Sequence, residues 1–296
     1  MDRVTGMQVF AKAAGLGSLS AAARAMGISQ TMATKHVSGL EERLGVKLLH
    51  RSTRRLTLTE TGRSYLESVE RILDDIEEAD ATASLETRQV RGKLRLNAPL
   101  SYAVRRLAPL IPELTRRHPE LQVDLGLNDR YVDLVEEGWD LAIRIGNLKS
   151  SALIARRLAP CPTVVCASPD YLERRGKPRN VADLTDHDCL SYTLSRSIGA
   201  GRWSFGAGGK VKVAVSGSIQ ANNGDALVLA AVAGQGIVYQ PYFLVEREIA
   251  EGSLVPLRLD HATLEIGGIF AVYPAARRPP AKVRATIDFL AERLAV

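Results

Sequence analysis

At 296 residues the chain is long enough for roughly two domains, and a hydrophobic content of 46% is ample for packed cores. No apolar run reaches the roughly 18 residues of a membrane-spanning helix. The start, Met1-Asp2-Arg3-Val4-Thr5, lacks the apolar segment of a signal peptide, so a cytoplasmic protein is expected. The net charge of +6 is unevenly spread: residues 1–60 hold nine Lys/Arg against four acids, and residues 63–88 hold three against eight. A basic head followed at once by an acidic stretch fits a phosphate-facing module beside a segment that stays off nucleic acid.

In chain order, residues 3–15 read as a helix with Val4, Met7, Phe10, Ala11 and Ala14 on one side. Residues 18–45 then read as two short helices joined by a tight turn. Ser18 and Ser20 are candidate caps, and Ala21, Ala22, Ala23 and Ala25 favour helix and permit close crossing. Gly27 ends that helix in a left-handed conformation, Ile28 plugs the turn, and Ser29 caps the next helix. That second helix turns Met32 or Ala33, Val37, Leu40 and Leu44 inward and leaves Gln30, Thr31, Thr34, Lys35 and Ser38 on the opposite face. Residues 46–60 read as a β-hairpin with Leu48, Leu49, Leu56 and Leu58 inward and His50, Arg51, Arg54 and Arg55 outward. Two helices and a basic hairpin in this order place one helix in a DNA major groove and a charged loop along the backbone.

Residues 60–87 read as one long helix. Leu66, Val69, Leu73, Ile76 and Ala83 recur at three- and four-residue steps, interrupted by Asp80. That spacing is a heptad seam of the kind that pairs helices of two copies; an amphipathic helix lying on its own domain is the other reading.

After Gly92 the pattern changes to strands alternating with helices. Strands are expected at Lys93–Ala98, Gln122–Leu127 and Asp140–Ile145, with helices at 103–118 and 132–137. A second series follows. It comprises strands at Thr163–Ala167, Trp203–Phe205, Lys210–Val215 and Gly236–Tyr239, and helices from Pro169 and across 224–233. The chain returns through Ile266–Tyr273 to a closing helix at 280–295. Such alternation predicts mostly parallel sheets flanked by helices. Two lobes joined by crossing strands would bind a ligand in the cleft outside the strands' carboxyl ends.

The chain resembles the LysR-type transcriptional regulators. The matching residues are Ser18-Leu19-Ser20-Ala21-Ala22-Ala23, Ser29-Gln30, Leu40-Glu41-Glu42-Arg43-Leu44-Gly45, Arg51 and Thr59-Glu60-Thr61-Gly62. Further on, Trp139-Asp140-Leu141-Ala142-Ile143-Arg144-Ile145-Gly146 and Ala233-Gly234-Gln235-Gly236-Ile237 match the family's effector domain. Asn128-Asp129-Arg130-Tyr131-Val132-Asp133-Leu134 and Ser168-Pro169-Asp170-Tyr171-Leu172 are similar to one subgroup. Departures are small: Thr34-Lys35 stands where Ser-Arg is frequent, and His50 where Phe is common, so hydroxyl and charge survive.

The resemblance implies an α/β fold class: an N-terminal winged helix-turn-helix plus long linker helix, then a two-lobed α/β periplasmic-binding-protein-like effector domain. The expected divisions are 1–60 for DNA binding, 61–90 for the linker helix and 91–296 for the effector domain. Lobe I covers about 91–161 and 266–296, and lobe II about 162–265. It also implies a homodimer or homotetramer with paired linker helices, a small-molecule effector, promoter DNA as partner and an influence on RNA polymerase recruitment. No cofactor or metal is expected.

Within that frame Gln30, Thr31 and Thr34 are candidates for base edges, with Ser29 as the cap that aims them. Lys35, Arg51, Arg54 and Arg55 are candidates for phosphate or minor-groove contacts; plain surface charge is the alternative for any one of them. The dimerisation candidates are Leu66, Val69, Leu73 and Ile76. For the effector, Leu100 and Ser101 begin a helix whose hydroxyl and N–H groups suit an anion, or a plain helix cap. Asn128 ends the second strand, and Asn222 takes the corresponding place in lobe II. Arg144 and Gly146 lie near the hinge; Arg144 pairs either an anionic effector or a structural carboxylate such as Asp140. Thr193 and Trp203 are candidate wall residues.

Other function classes are weaker. Gly199-Ala200-Gly201 and Gly206-Ala207-Gly208-Gly209 lack the glycine order that cradles phosphates. His187 sits between Asp186 and Asp188 without an activated nucleophile in motif context, so no enzyme is expected. Cys161, Cys166 and Cys189 are odd in number and lack paired metal-ligand spacing. Buried free thiols are expected there, with a redox-sensing thiol as the alternative. A solute-binding protein would share the two lobes but not residues 1–88. An architectural DNA-binding protein without a ligand response is the remaining alternative.

Overall fold

The computed structural model describes residues 2–51, 56–83, 90–148, 151–195, 197–275 and 279–294. The chain divides into two compact units, Met1–Gln89 and Val90–Val296.

The first unit begins with α1, Arg3–Leu16, whose N-terminus is capped by the Asp2 carboxylate accepting from the Val4 and Thr5 N–H groups. Helix α2, Leu19–Ala25, is capped by Ser18, whose Oγ accepts from Ala21 N at 3.2 Å. Gly27 follows with φ +65°, a left-handed turn that costs glycine little. Helix α3, Gln30–Leu44, starts at Ser29, whose Oγ accepts from Met32 N at 3.2 Å. Strands β1, Leu49–Arg51, and β2, Leu56–Leu58, pair antiparallel in the register Leu49 with Leu58. Helix α4, Glu60–Ala83, closes the unit. One core holds it together, made of Met7, Phe10, Ala33, Val37, Leu40 and Leu48 with Val69 of α4. Each fully buried Phe or Leu contributes about 1.5–3 kcal/mol.

The apolar stripe of α4 is covered in part within its own unit. Val69 is fully buried in its own unit, and Leu66 and Leu73 pack partly buried against the same core. A heptad pattern encodes an apolar stripe but not what covers it. Here α1 packs along that stretch, with the Phe10 and Tyr65 rings 5.8 Å apart. Ile76 remains half-buried and Ile72 is exposed.

The second unit starts with β3, Gly92–Ala98. A helical stretch follows: α5 at Leu100–Tyr102, a π-helical turn at Ala103–Leu107, and α6 at Ile111–Arg117. The sequence predicts one helix over 103–118. It is broken at residues 108–110, where Pro109 has no N–H to donate and its ring clashes with the preceding turn, whereas Pro112 falls in the first turn of α6, where proline is tolerated. Next come β4, Leu121–Leu127, β5, Leu141–Ile145, and β6, Leu153–Ala159. Residues 134–138 form a turn where the sequence predicts a helix over 132–137. The Asp133 carboxylate accepts from the Val135 and Glu136 N–H groups at 2.9 and 3.0 Å, a local bond that competes with helix formation.

Lobe II then runs through β7, Thr163–Ala167, α7, Pro169–Arg175, β8, Cys189–Tyr192, β9, Ile198–Gly199, and β10, Arg202–Phe205. It continues with β11, Val211–Ala214, β12, Gln220–Ala221, α8, Gly224–Val232, β13, Ile237–Pro241, α9, Tyr242–Ala250, and β14, Val255–Pro256. The chain re-enters lobe I as β15, Ile269–Pro274, and ends on α10, Ala281–Leu294.

Among the described residues the lobe I sheet has the order β4-β3-β5-β15-β6, and lobe II has the order β11-β10-β9-β8-β13-β7-β14 with β12 beside β8. Both sheets are mixed, which corrects the expectation of mostly parallel sheets. In lobe I, β3 pairs parallel with β4 and β5, but β15 is antiparallel to β5 and β6 because it arrives from the other lobe. The two segments that pass between lobes bond to each other. Ile266 N donates to Cys161 O at 3.0 Å, and the Thr263 hydroxyl donates to Thr163 O at 2.9 Å.

Candidate functional site

The candidate DNA-facing surface is built on α3. Its start is fixed by the Ser29 cap, so Ser29 serves helix geometry with its side chain. Ala33 and Val37 are fully buried, while Gln30, Thr31 and Lys35 are exposed and Thr34 is half-buried. The inward position is Ala33 and not Met32, which is 45% exposed. Met32 thus joins Gln30 and Thr31 on the outer face, as an apolar group able to meet a thymine methyl. The helical step from Val37 back to Ala33 is the signal that separates the two.

The hairpin is positioned by two devices that the motif residues supply. Glu41 is 2% exposed and its carboxylate accepts from Leu48 N at 3.0 Å and Leu49 N at 3.2 Å, with Lys47 Nζ at 2.9 Å. Burial alone would raise this carboxyl; the three donors outweigh it and hold the group below its ordinary value. Thr59 Oγ1 donates to Lys47 O at 2.8 Å and accepts from Gly62 N at 2.8 Å. Gly62 packs so closely that a Cβ there would lie 2.0 Å from Leu48 O. The Thr59-Glu60-Thr61-Gly62 motif is therefore the joint between hairpin and α4. Arg51 lies on β1; Arg54 and Arg55 lie outside the described residues.

The second unit holds a cavity of about 1000 Å³ between its lobes. Ser101, Asn128, Arg144 and Gly146 line it, as the sequence predicts. Ser101 is nearly buried, and its Oγ accepts from the Asn223 side-chain amide of lobe II at 3.3 Å. Arg144 donates to Val132 O at 2.6 Å and lies 4.4 Å over the Tyr131 ring. Its Nε is buried without a hydrogen-bond partner. Burial depresses the guanidinium, opposed by Tyr131, Asp133 and Glu137. Asp140 is not its partner: that carboxylate accepts from Arg95 N and pairs with Lys282 at 3.1 Å. Asp140 is thus taken by other partners, and Arg144 lines the cavity.

Four expected residues are not in the lining. Trp203 is fully buried, its ring edge-on to Tyr239 at 5.5 Å in the lobe II core. Strand alternation before the cleft favours Tyr192, which lines the cavity, over exposed Thr193. Asn222 is exposed; its neighbour Asn223 caps α8, with Oδ1 accepting from Ala226 N at 3.2 Å. Leu100 has an exposed side chain, and only its N–H points to the site, donating to Asp129 Oδ1 at 3.0 Å. Sequence reasoning misses Asn97, Asp129, Tyr131, Tyr192, Gln240 and Phe243, all in the lining. Tyr192 and Gln240 stand at carboxyl ends of strands, the position that marks ligand sites in open α/β sheets. Burial raises the Asp129 carboxyl, with Asp225 adding to the shift, against bonds from Leu100 N–H and Asn223.

The sequence comparisons agree with both halves of this architecture. Residues 4–63 match the model of the bacterial regulatory helix-turn-helix protein, lysR family, and residues 87–295 match the LysR substrate binding domain. The chain belongs to the LysR family. It is a sequence-specific DNA-binding transcriptional regulator whose activity is modulated by a small-molecule effector. This LysR protein is 33% identical over 287 residues to an HTH-type transcriptional regulator of Haemophilus influenzae, covering 96% of this chain and 98% of that one. It is 34% identical over 291 residues to the HTH-type transcriptional regulator DmlR of Escherichia coli, covering 98% and 94%. Among solved structures, CrgA, a LysR-type transcriptional regulator from Neisseria meningitidis, matches with a TM-score of 0.64 at 32% identity, covering 99% of each chain. An effector domain on a DNA reader departs from the purely architectural alternative.

Elsewhere, Cys161, Cys166 and Cys189 are free and buried, and burial pushes each thiol up to about 12. Among the described residues no group of three His, Cys, Asp or Glu is placed to hold a metal ion, and no helix is long and apolar enough to cross a membrane.

Proposed function

We propose that this LysR regulator reads its operator through the outer face of α3, with Gln30, Thr31, Met32 and Thr34 at base edges. Lys35 and the hairpin residues Arg51, Arg54 and Arg55 hold the phosphate backbone or minor groove. The observation that carries this reading is the exposed polar face of α3, set by the Ser29 cap and the buried Ala33 and Val37. Copies of the chain associate as a homodimer or homotetramer, with Ile72 and Ile76 of α4 as the apolar positions left for a second helix. The effector occupies the cavity between the lobes, and its binding alters contact with RNA polymerase at a cytoplasmic promoter. The protein acts by binding and performs no catalysis.

Two substitutions separate reading from anchoring. Lys35→Ala is expected to weaken binding to all DNA sequences alike and to lower the salt slope by about 1. Gln30→Ala is expected to relax preference at one base pair, by about 1–3 kcal/mol, with the salt slope unchanged. A Gln30→Ala protein with unaltered base preference would contradict the assignment.

A further inference from the structure

Arg144 lies on β5, and most of its guanidinium is engaged by the protein itself. One Nη donates to Val132 O at 2.6 Å, the guanidinium carbon sits 4.4 Å from the centroid of the Tyr131 ring, and Nε is buried within the fold. Both contacts reach the same stretch, the connection of residues 128–140 between β4 and β5. A planar cation stacked on a ring and bonded to the adjoining carbonyl fixes where that ring lies.

The place so fixed is the end of β5. A Cβ on Gly146 would lie 3.8 Å from the Tyr131 hydroxyl, so the side chain runs from Arg144 to Gly146 across the carboxyl end of the strand. Ligands of open α/β sheets bind at such strand ends. Tyr131 lines the cavity and yet is 69% exposed, and no large apolar side chain among the described residues is more so. Packing behind it holds the rest of the connection: Leu134 is buried with Ala142 and Val272, and Val132 packs partly buried against them. Little of the Tyr131 ring itself is covered, so the arginine, and not burial, sets its position.

Resting on the reading of this cavity as the effector site, we propose that Arg144 is a positioning residue and that Tyr131 is the group it positions. The open face of the Tyr131 ring is a platform for the flat aromatic body of the effector. Arg144 acts through the ring, so this wall recognises shape and apolar surface and not the charge of the ligand. Arg144 is then the partner of neither an anionic effector nor a structural carboxylate.

The test uses the full chain and two fluorescent probes that share one aromatic body. N-phenyl-1-naphthylamine is neutral, and 8-anilinonaphthalene-1-sulfonate adds a single anionic group. Tyr131→Ala should weaken both about 3- to 10-fold, the range of an aromatic contact, and Tyr131→Phe, which keeps the ring, should bind both like the native chain. Arg144→Met should weaken both by the same factor as Tyr131→Ala. Added to Tyr131→Ala it should cause no further loss, since residues acting as one unit are not additive. Tyr131 is largely exposed, so Tyr131→Ala keeps the fold and decides the matter even if Arg144→Met does not fold. Unchanged affinity for the neutral probe in Tyr131→Ala would overturn the proposal, as would failure of both probes to bind the native chain. So would a loss in Arg144→Met confined to the sulfonate, which would make Arg144 an anion-binding group, or full additivity of the two substitutions. The expected pattern without any effect of the probes on DNA affinity would support the proposal and count against the effector reading alone.

Discussion

Asn223 of lobe II donates its side-chain amide to the Ser101 hydroxyl of lobe I at 3.3 Å. The same boundary carries charge. Arg105 lies 2.8 Å from Asp225 and 3.5 Å from Glu248, and Arg106 pairs with Glu246. Both arginines belong to the π-helical turn after α5, a form found mostly as single turns at functional sites. These bonds tie the lobes together beside the cavity.

Arg105→Met should destabilise the second unit by about 2 kcal/mol, because it leaves the buried Glu248 with Arg247 as its remaining ion-pair partner. Urea unfolding monitored for the full chain measures this. Salt should not reproduce the loss, since the Glu248 side chain is only 6% exposed and buried pairs are weakly screened. An unchanged midpoint would mean that the pairs contribute nothing.

Glu41 sets a pH dependence in the first unit. Its carboxyl is held below the ordinary value of 4.5, by donors that outweigh burial. A depressed carboxyl contributes stability that is present above its unfolded value and is lost as pH falls through the folded one. Glu41→Gln should therefore cost about 2 kcal/mol at neutral pH, with the gap to the native chain closing as pH drops below the ordinary carboxylate range. A gap that stays constant with pH would assign the effect to packing.

Glycines in the first unit should respond oppositely. Gly62→Ala drives a Cβ to within 2.0 Å of the Leu48 carbonyl oxygen, so a loss of about 3 kcal/mol or more is expected, with weakened DNA binding. Gly15, inside α1, has open space around it, and Gly15→Ala should stabilise by about 0.5–1 kcal/mol. Thermal melts of the two variants decide the matter.

The thiols should be inert. With Cys161, Cys166 and Cys189 buried and their thiols pushed up to about 12, almost none is thiolate at neutral pH. The folded chain should resist iodoacetamide, and peroxide should leave DNA affinity unchanged. Rapid alkylation of one cysteine under native conditions would restore the redox-sensing alternative.

Local pattern made much of this architecture legible. Ser18, Ser29 and Gly27 mark the helix ends because caps and left-handed turns depend on a few adjacent residues. Ala33 against Met32 needed only the helical step. What depended on distant partners was not legible. The α4 stripe of Leu66, Val69 and Leu73 fits a second helix and its own domain equally well, so its spacing does not show that α1 packs on it. The direction of β15 depends on its return from lobe II, so sheet type was misread. In the cavity, Arg144 is legible because it lies in the matching Trp139–Gly146 stretch near the hinge. Gln240 was not, since a polar residue in a strand declares itself only when its neighbours are known to leave it unpaired. Trp203 erred the other way: an aromatic suits a ligand wall and a core equally well.

The central claim is that this protein recognises a particular DNA sequence through α3 and the hairpin. Fluorescence anisotropy should compare the full chain on the duplex upstream of its own coding sequence with a scrambled duplex of equal length, at physiological salt. A preference of at least about 10³-fold is predicted, the low end for specific binders. Equal affinity for the two duplexes would contradict the account.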